Sequence, residues 1–182
     1  MPVVGVRAAV GLVTVLAVAV LAGCGTGSGG TDARSSTDAG SRSDSGGQRV
    51  PYWVKGVGFT RVAQDLGVTV PRTATQRLGA RQKGFQDDVL LLAFVLPAGE
   101  VDGFVDGLDP EHQPVHRKRA AAPAGYEPTA PFAHLGLAEP ETLDGVTAGQ
   151  VCAPCDGELD SLDITVAPAG KDRSRIYLRG ID

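Results

Sequence analysis

The apolar positions of this chain fall into three regimes. Ala8–Ala22 is an uncharged and mostly apolar run, and residues 25–49 then carry no aliphatic or aromatic side chain larger than Ala. From residue 50 onward, apolar positions recur at helical and strand periods. In this third regime Thr60 is the expected N-cap of a short helix that carries Val62 and Leu66 on one side. Gly67 stands where a left-handed residue ends such a helix, with Val68 as the hydrophobic contact beyond it. Pro71 stops any continuation. Ala74–Lys83 alternates as a strand does, with Leu78 and Ala80 on one face and Arg77, Arg81 and Lys83 on the other. Gly84–Asp88 reads as a turn. Val89–Leu96 (VLLLAFVL) is continuously apolar, as a central strand covered on both faces should be.

Pro97 is expected to open a second helix, on which Val101, Phe104, Val105 and Leu108 follow the i, i+3, i+4, i+7 spacing of an amphipathic face. Gly99, Gly103 and Gly107 lie on its other side. Each costs up to about 1 kcal/mol relative to Ala, so this helix depends on packing. Near the end of the chain Leu162, Ile164 and Val166 alternate with Asp163 and Thr165. Beyond Pro168–Arg173, Ile176 and Leu178 alternate with Arg175, Tyr177 and Arg179, which predicts a hairpin whose outward face pairs acids with arginines. The expected fold class is α+β: a small antiparallel sheet of about four strands in two hairpins, packed with one or two helices.

Between these elements Asp109–Gln150 has six prolines and little periodicity. It is expected to be a long Pro-rich loop, and connections of this length are often functional, or else disordered. Its first half carries His112, His116 and the basic run Arg117–Arg119. Its second half carries Phe132, Leu135, Leu137, Leu143 and Val146, which are expected to pack down on the domain.

The run Ala8–Ala22 is about fifteen residues long, short of the ~20 needed to span a hydrocarbon core. A start carrying Arg7, a short apolar core and small residues at its end describe a signal peptide. Leu21-Ala22-Gly23-Cys24 resembles the lipobox of bacterial lipoproteins: an aliphatic residue, two small residues and a cysteine. That resemblance implies cleavage before Cys24 and a diacylglycerol on its thiol. Two or more acyl chains, at about 0.8 kcal/mol per buried methylene, anchor a protein stably. The implied location is the cell membrane, lipid-anchored on the extracytoplasmic face, with the cytoplasmic membrane itself as the first partner through Cys24. The expected organisation is a signal peptide at 1–23, a lipidated cysteine and disordered tether at 24–49, and one α+β domain at 50–182. A Gly/Ser-rich coil of this length averages about 25–30 Å end to end and leaves the orientation of the domain free. Gly25, Gly27 and Gly30 match G-x-G-x-x-G, but no strand precedes them and no helix follows, so the dinucleotide reading fails.

Composition adds a source and excludes a partner. Thirteen Arg against four Lys, no Asn and three Ile resemble the usage of high-GC Gram-positive bacteria. After removal of residues 1–23 the chain keeps 16 basic and 21 acidic residues, a balance that argues against nucleic acid as a partner. Any protein or small-molecule partner is left unidentified.

Cys152-Ala153-Pro154-Cys155 is the sharpest chemical constellation. Thiols outside the cytoplasm are oxidised, and lipidation of Cys24 leaves one cysteine pair, so the expectation is a Cys152–Cys155 disulfide. Two alternatives stay open. The spacing resembles the thioredoxin-like redox motif, although Asp156-Gly157-Glu158 follows it where that fold starts a helix. The two thiolates could also join His112, His116 or His134 around a zinc ion, although one C-x-x-C is a weak signal. Asp156, Glu158, Asp160 and Asp163 lack the EF-hand spacing for calcium, and Asp156 stands where a c-type haem site needs His. No nucleophile elbow, P-loop or H-E-x-x-H occurs. The expectation from the sequence is therefore no catalytic residue, no metal ligand and no cofactor, and a non-enzymatic binding or accessory domain. Its alternative is a membrane-tethered thiol oxidoreductase or metal-binding protein that uses Cys152 and Cys155.

Overall fold

The computed structural model describes residues 51–182; the signal peptide expected at 1–23, Cys24 and the tether at 24–49 lie outside the described residues. The strands are β1 (Tyr52–Trp53), β2 (Thr75–Lys83), β3 (Val89–Pro97), β4 (Val115–Arg117), β5 (Val146–Cys152), β6 (Ser161–Pro168) and β7 (Arg173–Ile181). They form one seven-stranded sheet in the order β1-β2-β3-β7-β6-β5-β4, and every pairing is antiparallel. The chain enters at one edge and walks inward to β3. It then crosses to the opposite edge and walks back to β7, which closes against β3 from Val89↔Ile181 to Pro97↔Arg173. Two short helices, α1 (Phe59–Asp65) and α2 (Val101–Asp106), complete the α+β architecture.

The expectation of about four strands in two hairpins is corrected to seven. The two expected hairpins are β2–β3 and β6–β7. The three further strands are those whose sequence lacks a readable period. β1 and β4 are two and three residues long, shorter than any pattern could show. β5 carries Gly149 and Gln150 and breaks register between Gln150 and Cys152. The expected loop at 109–150 is corrected accordingly: it contains β4, two 3-10 turns at Phe132–Leu135 and Pro140–Thr142, and the start of β5.

Local chemistry explains the helix ends. α1 begins after Gly58 rather than at Thr60, whose side chain lies on an exposed turn. Its end is as expected: Gly67 has φ +68°, its N–H donates to Gln64 O (3.0 Å), and Val68 N–H donates to Ala63 O (2.9 Å). These two bonds satisfy carbonyls that a helix end otherwise orphans. Pro97 closes β3 instead of opening a helix, and a 3-10 turn at Ala98–Glu100 leads into α2. The stripe of α2 lies as its spacing requires, with Val101, Phe104 and Val105 buried and Leu108 packed beside them.

Alternate residues of the central strands feed two cores. Leu90, Leu92, Phe94 and Leu96 of β3, with Ile164, Ile176 and Leu178, lie beneath α1 and α2. Leu91 and Ala93, with Tyr177 and Ala167, lie beneath the segment between β4 and β5, which supplies Phe132, Leu135, Leu137 and Leu143. The apolar continuity of β3 follows from this double cover.

α1 sits so close to the sheet that β2 tolerates no side chain at position 79, beneath Phe59. A Cβ built on Gly79 would stand 2.7 Å from Phe59 Cα and 3.0 Å from Phe59 N. These are backbone atoms that no rotamer change moves. Gly79→Ala is therefore expected to destabilise the domain by about 2 kcal/mol, the range of overpacking substitutions. The check is the urea midpoint, which should fall at constant m value.

A charged cleft on the second face of the sheet

The polar residues that alternate along β6 and β7 do not face open solvent. Asp163 and Thr165 of β6 stand opposite Arg179 and Tyr177 of β7; the segment after β4 packs on Tyr177 and Arg179, and Asp163 and Thr165 line the cleft beside it. This corrects the expectation of an outward acid–arginine face. Tyr177 is buried beneath Phe132, with ring centroids 5.0 Å apart in an edge-to-face arrangement. The Arg179 guanidinium lies 5.3 Å from the Phe132 ring centroid, within reach of a cation–π attraction.

Carboxylates fasten the covering segment to the sheet. Arg179 Nη1 donates to Glu141 Oε1 (2.6 Å), and Nη2 lies 3.5 Å from Glu139 Oε2. The Glu139 side chain is only 5% exposed. Its other oxygen accepts the Ala133 N–H (2.8 Å) and so orients the 3-10 turn that carries Phe132. Gln82 Nε2 donates to Thr129 O (3.0 Å), and Ala121 and Ala122 donate to Glu141 O (2.8 and 2.9 Å). At the far edge His134 stacks on Trp53, with centroids 3.7 Å apart and parallel planes.

Between this cover and strands β4–β7 remains a cleft of about 270 Å³. Its floor is small because β5 contributes Ala148 and Gly149. Its walls carry Arg117 of β4, Asp163 and Thr165 of β6, and Tyr177 and Arg179 of β7. Phe132, Pro140 and Glu141 line it from above. Several polar atoms here are buried without a hydrogen-bond partner: Arg117 Nε, Arg179 Nε and Nη2, and Glu141 Oε2. Buried polar groups are normally satisfied, so such a group calls for an explanation. Arg117 and Asp163 form no ion pair within 4.0 Å among the described residues.

The titration of the cleft follows from this placement. Burial raises the Asp163 pKa; the Arg179 charge offsets part of that, and Glu141 adds to it. Burial likewise holds the Tyr177 phenol above its ordinary value, against the Arg175 charge and with the Glu139 carboxylate. A carboxylate whose folded pKa is raised contributes stability that is full below the unfolded value, near 3.9, and is lost as pH rises through the folded value. Asp163→Asn cannot titrate. In urea unfolding from pH 4 to pH 8, the variant is expected to gain on the wild type as pH rises. A gap independent of pH would contradict the burial of Asp163.

The residues singled out in the sequence lie elsewhere. Cys152 and Cys155 form a disulfide at the end of β5. Both are half-buried on the wall of a groove of about 840 Å³ between the sheet and the two helices. A turn, not a helix, follows them, and Asp156 and Glu158 are exposed beside it. His112, His116 and His134 are all exposed. The described residues hold no group of three or more His, Cys, Asp or Glu side chains placed to share a metal ion. No helix among them is long and apolar enough to cross a membrane. Asp163, grouped in the sequence with the acids of the preceding turn, belongs instead to the cleft. Arg117 stood in a basic run, and Tyr177 and Arg179 in a strand face. The signal available for them was the i, i+2 alternation alone. Comparison of the chain with protein-family models, with curated proteins and with solved structures finds no match.

Proposed function

We propose that this chain is a lipid-anchored, non-enzymatic binding domain of the extracytoplasmic membrane face, with the cleft beneath Phe132 as its binding site. The anchor rests on Leu21-Ala22-Gly23-Cys24. The observation that carries the binding role is the pair Arg117 and Asp163: opposite charges that line one cleft with no ion-pair partner within 4.0 Å among the described residues. A structural ion pair would bring them together, whereas a binding site holds them apart for a ligand.

The Cys152–Cys155 pair supports a second reading, a membrane-tethered thiol oxidoreductase, because both residues are partly exposed on a groove wall. A catalytic thiol needs a lowered pKa, and helix N-termini and cations supply it; here the neighbours are acids and a turn. We therefore propose a structural role for the disulfide.

Fractionation tests the anchored location. The wild-type chain is expected to sediment with membranes and to be cut by protease added to cells stripped of their wall. Cys24→Ser is expected to leave the membrane fraction. A variant that stays membrane-bound, or a wild type shielded from the protease, would overturn this part of the reading.

A further inference from the structure

We infer that the cleft takes a small zwitterion, its anionic end on Arg117 and its cationic end on Asp163, an assignment that rests on the binding role proposed above. The two groups come from strands on either side of β5, whose Ala148 and Gly149 leave the floor between them free of large side chains. The other two charged residues of the lining, Arg179 and Glu141, pair with each other through Nη1 and Oε1 and hold the cover, with Arg179 Nε and Nη2 and Glu141 Oε2 left without a hydrogen-bond partner. A simple anion on Arg117 would leave the Asp163 carboxylate facing only the Arg179 charge, which Glu139 and Glu141 already share. A simple amine on Asp163 would leave Arg117 unmatched. A molecule carrying both charges answers both, which is how complementary charge confers specificity.

Size and walls narrow the class. At about 30 Å³ per water, 270 Å³ is room for about nine waters, and so for a ligand of similar heavy-atom count. Phe132 and Tyr177, only 1% and 5% exposed, line the cleft with the edges of their rings, and Thr165 adds a hydroxyl. The structure thus suits a short amino acid or dipeptide-sized molecule with separated charges.

The test uses the full chain in detergent micelles, titrated with glycine, 4-aminobutyrate and 6-aminohexanoate, and with butyrate and butylamine as single-charge probes. Binding is followed by chemical shifts of the Tyr177 ring and the β5 amides. At least one zwitterion is expected to bind about tenfold or more tightly than both single-charge probes. Asp163→Asn should reduce its affinity to that of butyrate, and Arg117→Gln to that of butylamine. Equal affinity of the wild type for butyrate and its amino derivative would overturn the zwitterion assignment and leave a plain anion site. No perturbation by any probe well above ~1 mM would overturn the binding role of the cleft as well. The wild-type titration decides between these outcomes even if a variant folds poorly.

Discussion

Phe94→Ala is expected to lower the stability of the domain by about 4 kcal/mol, the range for removing a fully buried aromatic ring. Phe94 has no exposed surface. Its ring meets Phe104 of α2 edge-to-face at 5.3 Å and Phe59 of α1 at 6.2 Å, so one side chain joins both helices to the sheet. Such aromatic pairs add about 0.5–1.5 kcal/mol beyond their buried area. The cavity left by Ala would open beside Ile176, its cross-strand partner, between strands fixed by pairing on both sides, so little collapse can relieve it. Domains of this size are stable by about 5–15 kcal/mol, and the loss is therefore a large fraction of the whole. Thermal unfolding should show a midpoint lowered by about 15 °C. Phe94→Leu, which keeps most of the volume, should recover more than half of that. A Phe94→Ala midpoint within a few degrees of the wild type would mean that the two helices do not meet at this ring.

The second large effect is expected at the end of the sheet, where Asp88 gathers cations. Its carboxylate accepts from Arg81 Nε (2.8 Å) and from Lys83 Nζ (2.9 Å), while its side chain is 5% exposed. Asp88 also exchanges both backbone hydrogen bonds with Asp182 (2.8 and 3.0 Å), and Arg81 reaches the Asp182 carboxylate at 3.0 Å and Asp65 of α1 at 3.6 Å. Burial alone would raise the Asp88 pKa, but hydrogen bonds from Lys83 and Arg81 and the charges of both outweigh it and hold it below the usual carboxylate value. Asp88→Ala removes the only near-fully buried member of this network. The expected loss is about 3 kcal/mol, near the lower end for breaking a buried pair, because Arg81 keeps two other acids. A depressed carboxylate contributes stability that is complete above its unfolded pKa and lost as pH falls through its folded pKa. The difference between wild type and variant should then be constant above about pH 5 and shrink below the ordinary carboxylate value near 3.9. Chemical denaturation across that range checks both magnitude and sign. A difference that grew on acidification would contradict the charge assignment.

What could be read from the chain follows from where each element's partners lie. The burial of β3 was legible because eight successive apolar residues admit no wet face. The end of α1 was legible because Gly67 and Val68 carry their geometry within a few residues. The α2 stripe was legible in its spacing, although its first turn was misplaced, since Pro97 serves a strand end as well as a helix start. The C-terminal hairpin showed its register but not its surroundings. Asp163, Thr165, Tyr177 and Arg179 alternate with apolar residues as a solvent-facing row does, and nothing local distinguishes a wet face from one covered by distant chain. Its cover comes from Glu141, 38 residues from Arg179, and from Phe132 further back. The basic run at Arg117–Arg119 gave no sign that its first residue turns into a cleft while Lys118 and Arg119 stay exposed. The candidate site therefore depends on packing between segments that no single stretch of sequence reveals, whereas Cys24 and the Cys152–Cys155 pairing rest on residues within a few positions of one another.

The proposed lipid anchor is tested most directly by the intact mass of the chain extracted from membranes. The predicted result is a polypeptide beginning at Cys24 whose mass exceeds that of residues 24–182 by a diacylglycerol, with the added mass carried on the peptide that contains Cys24. A chain that begins at any other residue, or a Cys24 peptide bearing a free thiol, would contradict it.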